Sequence, residues 1–251
     1  MLSADEAREA MRREWGRVVS TVARLDDAAL AAPTRCAGWT VLDLARHLAW
    51  ATSMEADALR RARLGATGVA EGRHPGVDAD TVRAGLADGV DALLAELDRG
   101  VLALDALLPL PTGAVPMAFG SQVLVLEAGV HADDVENALG RDEPLASDVV
   151  TACAVVLALA LPAFATLAGS AATAPAPGTV VAVTSPHVSA RCRFAAEGWT
   201  VVDGGTEATE RVQGDDDTAV LRFALGRLPA GDPRLRLSPG AADFKRWFPG
   251  P

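Results

Sequence analysis

Over the first two thirds of the chain, apolar residues recur at three- and four-residue steps; beyond about residue 178 they do not. That change of period constrains the fold more than any other feature. A 3.6-residue repeat lays one stripe along a helix, and a two-residue repeat lines one face of a strand. Met11, Trp15, Val18, Val22 and Leu25 set a first helical stripe. Pro33 leads into a loop over 33–39, and Thr40 with Asp43 forms a capping box that starts a second helix running to about residue 64. Leu44, Leu48 and Ala51 form the apolar side of that helix, and His47 falls on it. After a Gly- and Pro-punctuated loop at 65–76, Val82, Leu86, Val90, Leu93, Leu97, Val101 and Leu104 keep a third helix in register. Pro109, Pro111 and Pro116 form a stiff connection to a fourth helix at roughly 119–139, which Gly140 ends. Four or five helices of similar length predict an antiparallel, up-and-down bundle over residues 1–169.

An Ala/Pro/Gly/Ser/Thr-rich run at 170–178 reads as a linker. Past it, 179–184, 189–195 and 199–203 are short, β-branched and bounded by turn residues, as strands are. A helical pattern returns at 215–227 with Val220, Leu221 and Leu225, and a last short helix is expected at 241–248. The fold class expected is therefore mixed, a helical bundle followed by a small α+β domain at 179–251.

Charge narrows the partners. The formal net charge of −10 argues against nucleic acid and anionic membrane as main partners. One stretch, 149–169, is apolar and long enough to cross a bilayer. It is rich in alanine, Pro162 interrupts it, and no Lys or Arg lies between Arg141 and Arg191, so a helix buried in the middle of the bundle is the expectation. The N-terminal residues are charged and lack the apolar core of a signal peptide, which predicts a cytoplasmic protein. Cys36, Cys153 and Cys192 are odd in number and far apart, so neither a disulfide framework nor a thiolate zinc knuckle is implied. The chain has no Tyr or Ile, a lone Asn137 and a lone Lys245; these residue types have AT-rich codons, which points to a GC-rich bacterium.

Three residues carry candidate chemistry. Glu127 and His131 are four apart, so on a helix they project from the same side, and His47 faces them from another helix. Two neutral imidazoles and one carboxylate suit a divalent ion such as zinc and leave one coordination position open. A thiol or water in that position loses its proton more easily. Asp134, three residues beyond His131, is placed to accept a hydrogen bond from the far ring nitrogen of a ligand histidine. The plainer reading is a solvated Glu–His pair and a packed core histidine. Against it, Val123, Val130 and Val135 surround the pair, and a buried carboxylate without a partner is costly. Elsewhere, Cys36 reads as a packed thiol, Trp39 as a core anchor at a helix entrance, and His74 and His187 as surface residues. Asp215, Asp216 and Asp217 lack the spacing of a calcium loop and read as a turn with a helix N-cap.

Three stretches carry a family resemblance. The first holds Pro33, Thr34, Cys36, Gly38, Trp39, Val41, Asp43 and His47; the second holds Glu127, His131 and Asp134, followed by Ala138-Leu139-Gly140; the third ends in Leu225-Gly226-Arg227-Leu228-Pro229. In these the chain resembles the mycothiol-dependent maleylpyruvate isomerase family, a DinB-like metal-binding bundle with a sterol-carrier-like C-terminal domain. The resemblance implies that His47, Glu127 and His131 hold a metal, usually zinc, and that mycothiol supplies the sulfur. It also implies an important arginine in the C-terminal domain, for which Arg227 is the best match. GC-rich coding fits, because mycothiol is the thiol of actinobacteria. Where the family often has a basic or aromatic pair after the second histidine, this chain has Ala132-Asp133, which alters the pocket rim. The expected function is attack of a metal-bound thiolate on a small electrophile. Expulsion of the thiol afterwards gives cis–trans isomerisation, and retention gives S-transfer. Arg227 would hold carboxylates by paired hydrogen bonds. Two alternatives stay open: a non-catalytic module that binds a metal and a small ligand, or an empty triad in a protein acting through its surfaces.

Overall fold

The computed structural model describes residues 1–66, 68–111, 113–166 and 173–249, which fall into two compact units, Met1–Val149 and Val150–Pro251. The first unit is built on four long helices, α1 (Ala4–Val22), α3 (Val41–Arg63), α4 (Ala79–Asp98) and α5 (Met117–Ala138), with a one-turn α2 (Asp27–Leu30) between the first two. Their starts are set chemically. Ser3 and Glu6 cap α1 reciprocally, Thr40 and Asp43 do the same for α3, and Asp78 accepts the Thr81 amide at the head of α4. The helices close a ring, with α1 against α4 and α5, and α3 against α4 and α5. Trp15, Leu44, Leu48, Leu86, Leu93 and Leu124 fill its centre and are wholly buried. Gly89 lets α4 approach α3, since a Cβ there would lie 2.2 Å from Thr52 Oγ1.

Two departures from the sequence pattern occur in this unit. The third helix ends at Asp98 and does not reach Leu104, because Gly100 takes φ +101 and turns the chain away, leaving Val101 and Leu104 exposed. The proline-rich connection is a hairpin, β1 (Leu107–Leu110) paired antiparallel with β2 (Gly113–Pro116). A two-stranded ribbon has an outer edge on each strand, so a proline's missing N–H need not interrupt the ladder.

Helix α6 (Ser147–Ala160) begins in the first unit and continues into the second, ending in a 3-10 turn, Leu161–Ala165, that contains Pro162. The division at Val149–Val150 thus lies earlier than the bundle end read from composition, and the 3-10 turn packs on strands of the second unit. The helix is not buried all round. Val149, Ala152, Cys153, Val156 and Leu157 face inward while Leu159 is exposed. Ser147–Ala165 is long and apolar enough to cross a membrane by length and composition, and 44% of it is buried. Residues 167–172, which include the expected bundle end and the first part of the linker, lie outside the described residues.

The second unit holds a five-stranded sheet in the order β5-β4-β3-β6-β7, formed by β3 (Val180–Thr184), β4 (Ser189–Ala195), β5 (Gly198–Val201), β6 (Glu210–Gly214) and β7 (Leu235–Leu237). The β3–β6 pair is parallel and the others are antiparallel. Helix α7 (Asp217–Ala224) is capped by Asp216, and α8 (Phe244–Trp247) brings Phe244 between Phe223 and Phe248, with ring centroids 5.5 and 4.9 Å away. The chain is a helical region joined to a small sheet domain, the mixed class that the change of period predicts.

Candidate metal centre

His47 occupies the second turn of α3, and Glu127 and His131 are one turn apart on α5. The structure brings all three together. Glu127 Oε1 lies 2.9 Å from His47 Nε2 and 3.4 Å from His131 Nε2, and the two imidazoles meet edge-on at 5.2 Å. One donor atom from each lies within 4.8 Å of the others. Burial is graded: His131 is nearly enclosed, while His47 and Glu127 are about a quarter exposed, so the cluster opens to solvent on one side.

The orientation of His131 is fixed from behind. Its Nδ1 lies 3.0 Å from Asp134 Oδ2. A hydrogen bond from Nδ1–H leaves the Nε2 lone pair facing Glu127 and His47. Cys36 Sγ donates to the same Asp134 oxygen at 3.3 Å. Two imidazole nitrogens and one carboxylate oxygen, turned inward and open on one side, are a donor set that fits a borderline divalent ion such as zinc. Cys36, His131 and Asp134 form a second convergent group, using the other nitrogen of His131.

Glu55, on α3, is 1% exposed, and its Oε2 has no hydrogen-bond partner among the described residues. Burial pushes its carboxyl well above the usual range, and the nearby charge of Glu127 adds to this. A buried carboxyl group therefore lies near the cluster.

Several residues differ from their sequence reading. Trp39 is not a core anchor: it is 37% exposed and tilts over His47, ring centroids 5.2 Å apart, because the loop that carries it lies across the mouth of the cluster. Gly38, Trp39, Asp43, Arg46, His47, Trp50 and His74 line an open pocket of about 510 Å³ there. His74 is at the surface, yet stacks on Trp50 at 5.7 Å with planes 13° apart. Cys36 is half-buried, and its partner is a carboxylate rather than apolar packing. Trp50 was legible as a neighbour of His47, three residues on along the same helix; Arg46, Glu55 and His74 gave no comparable signal. His187 is exposed and bonds Asp217, with Nδ1 2.7 Å from Oδ2. Arg227 belongs to the second unit, just past α7, where its Nη1 donates to Leu225 O at 2.5 Å.

A family model described as the mycothiol maleylpyruvate isomerase N-terminal domain matches residues 11–136. The chain belongs to this family. The matched segment contains His47, Glu127, His131, Asp134 and Cys36. Two solved structures resemble the whole chain: the mycothiol-dependent maleylpyruvate isomerase, at TM-score 0.66, and a histidine-to-alanine mutant of it, at 0.67. Each is 17% identical in sequence, with 95% of this chain and 94% of the other covered, a likeness of fold. Among curated proteins, no sequence matches.

Proposed function

We propose that this member of the mycothiol maleylpyruvate isomerase family is a metalloenzyme that uses mycothiol to attack a small electrophilic substrate. The observation that carries the reading is the convergence of His47 Nε2, Glu127 Oε1 and His131 Nε2 from two helices, with His47 and Glu127 80 residues apart in sequence. His47, Glu127 and His131 are the ligands, and Asp134 orients His131. A divalent ion, zinc by the chemistry of the donors, supplies a Lewis acid that favours the thiolate form of an incoming thiol. The residues around it do the rest. Asp134 accepts from His131 Nδ1–H and so turns Nε2 towards the other two donors. Trp39, Trp50 and His74 give the approach an aromatic wall that orders a small guest and displaces water, and the exposed Arg46 offers a cation to an anionic group. Arg227 is assigned to substrate or thiol carboxylates on the family resemblance.

Sulfur addition to a conjugated carbon, bond rotation and expulsion of the thiol give isomerisation; an adduct that persists gives S-transfer. The protein acts in the cytoplasm on this reading, where its thiol is made. The test is direct. Purified protein is expected to hold about one divalent ion per chain. Added mycothiol is expected to raise a sulfur-to-metal charge-transfer band in the cobalt-substituted protein. Protein that binds no metal, with His47→Ala equally folded and unchanged, would end the proposal. A metal-loaded protein whose spectrum ignores saturating thiol would leave a metal- and ligand-binding module.

A further inference from the structure

Cys36 lies in a loop too tightly framed to be a passive linker. Pro33 and Thr40 form a β-bridge at its neck, Thr34 N–H donates to Trp39 O at 2.9 Å, and Trp39 N–H donates to Cys36 O at 3.0 Å. The Cys36 amide donates to Thr34 Oγ1 at 3.2 Å, so both backbone polar groups of Cys36 are engaged within the loop. Gly38 takes φ +82, which closes the turn. Next door, Arg35 ties the loop to α5 and the segment after it, reaching Asp133 at 3.3 Å and Asp142 at 2.8 Å. The frame therefore fixes where the Cys36 sulfur sits relative to α5, 98 residues away in sequence.

That sulfur meets Asp134 Oδ2 at 3.3 Å, and the same oxygen lies 3.0 Å from His131 Nδ1. A carboxylate oxygen that accepts from two donors of fixed origin is held in two directions at once. Asp134 on its own is a short side chain on the same helix as His131, and rotation about its side-chain bonds would carry the acceptor away from the ring. The thiol proton, anchored in a different element, opposes that rotation. The described chain of contacts runs Cys36 S–H to Asp134, Asp134 to His131 Nδ1–H, and His131 Nε2 to Glu127 Oε1 at 3.4 Å.

We propose that Cys36 is a positioning residue of the metal centre, whose thiol proton steadies Asp134 and through it aims His131 Nε2 at the ion. The inference rests on the metal reading given above. It separates Cys36 from the sulfur chemistry: this thiol is neither nucleophile nor ligand. The rival arrangement on the same atoms is a second ion held by Cys36 Sγ, His131 Nδ1 and Asp134, with His131 bridging two metals. The two arrangements differ in stoichiometry, one ion per chain against two.

The experiment uses the full chain, stripped of metal and titrated with cobalt, in four forms: wild type, Cys36→Ala, Cys36→Ser, and wild type S-methylthiolated at Cys36 and afterwards reduced. The last form avoids refolding a variant, and Cys153 and Cys192 are wholly buried, so a small reagent reaches Cys36 first. Wild type that takes up no cobalt refutes the metal reading itself. With wild type binding one ion, Cys36→Ala and the thiolated protein are expected to bind about tenfold more weakly and to show altered cobalt ligand-field bands. The hydroxyl of Cys36→Ser can donate in place of the thiol and is expected to restore affinity and spectrum, as reduction is for the thiolated protein. In metal-free protein with ¹⁵N-labelled histidine, the Nδ1–H tautomer of His131 is expected to be less populated in Cys36→Ala than in wild type or Cys36→Ser. Wild-type affinity and spectrum in Cys36→Ala would overturn the proposal. So would a folded Cys36→Ser as weak as Cys36→Ala, or two ions per wild-type chain with one lost in Cys36→Ala.

Discussion

Trp50 and His74 lie face to face, their planes 13° apart and ring centroids separated by 5.7 Å. The stack fastens the connector between α3 and α4 to the helix that carries His47, beside the pocket. Gly72 makes this approach possible, because a Cβ there would meet Trp50 Nε1 at 2.4 Å and Trp50 O at 2.6 Å. His74→Ala is expected to change tryptophan emission and weaken thiol or substrate binding several-fold, while metal content stays at the wild-type level. Equal ligand affinity in titrations of the two proteins would remove this wall from the binding site.

The three proposed ligands differ in how they should fail. His131→Ala removes the innermost donor and one of the two hydrogen bonds to the buried Asp134 Oδ2, so it is expected to lose metal and to lower the melting temperature. His47→Ala, at the open side, is expected to lose metal with little change in the melt of the stripped protein. For wild type, chelation is expected to lower stability by about 2.7 kcal/mol when free metal had stood at a hundred times its dissociation constant. A melt insensitive to both metal and chelator would count against the site.

Gly129 sits inside α5, where alanine ordinarily adds about 1 kcal/mol of helix stability. Here a Cβ would lie 2.5 Å from both methyl carbons of Val149. Gly129→Ala is therefore expected to destabilise the protein by about 1–3 kcal/mol through overpacking. Adding Val149→Ala opens the space and should return much of that loss. Denaturant midpoints of the single and double variants decide it: a stabilised Gly129→Ala would refute the close contact.

Lys245 gives a pH signature. Burial, with Arg227's charge adding to it, brings its ammonium down to about 8 from 10.5. Its Nζ donates to Ala224 O at 3.2 Å. Between those two values the unfolded chain binds more protons than the folded one, so this group makes stability rise with pH. Below about 8 both states are charged and the folded protein carries the full cost of the buried ammonium. Lys245→Met is expected to be the more stable protein at pH 7, with the difference shrinking as pH climbs towards 10. A constant difference across that range, from urea midpoints, would refute the assignment.

Much of the fold was legible because it depends on local rules. Thr40 with Asp43 marked the start of α3, Gly140 the end of α5, and the repeat of Leu86, Val90 and Leu93 the buried side of α4. The hairpin at 107–116 was not, since three prolines mask a strand that survives only because a ribbon has free edges. Strands β6 and β7 escaped as well: Glu210–Gly214 carries two charges and a single apolar residue, and β7 is three residues long. At the centre, helical spacing announced Glu127 and His131, and the apolar side of α3 placed His47. The thiol contact of Cys36 and the buried Glu55 were hidden, because both depend on how separate elements come together, and spacing along one element carries no trace of that.

Trp39 over His47 and His74 against Trp50 put the rim of the pocket on two connectors, while the converging donors belong to helices locked in a ring of neighbours. The rim is thus drawn in part from segments that carry none of the three donors, and in part from α3 itself. A lineage can trade the side chains of Trp39 and His74, and so reshape the approach for another reactant, while the three converging donors and the Cys36–Asp134 contact stay as they are.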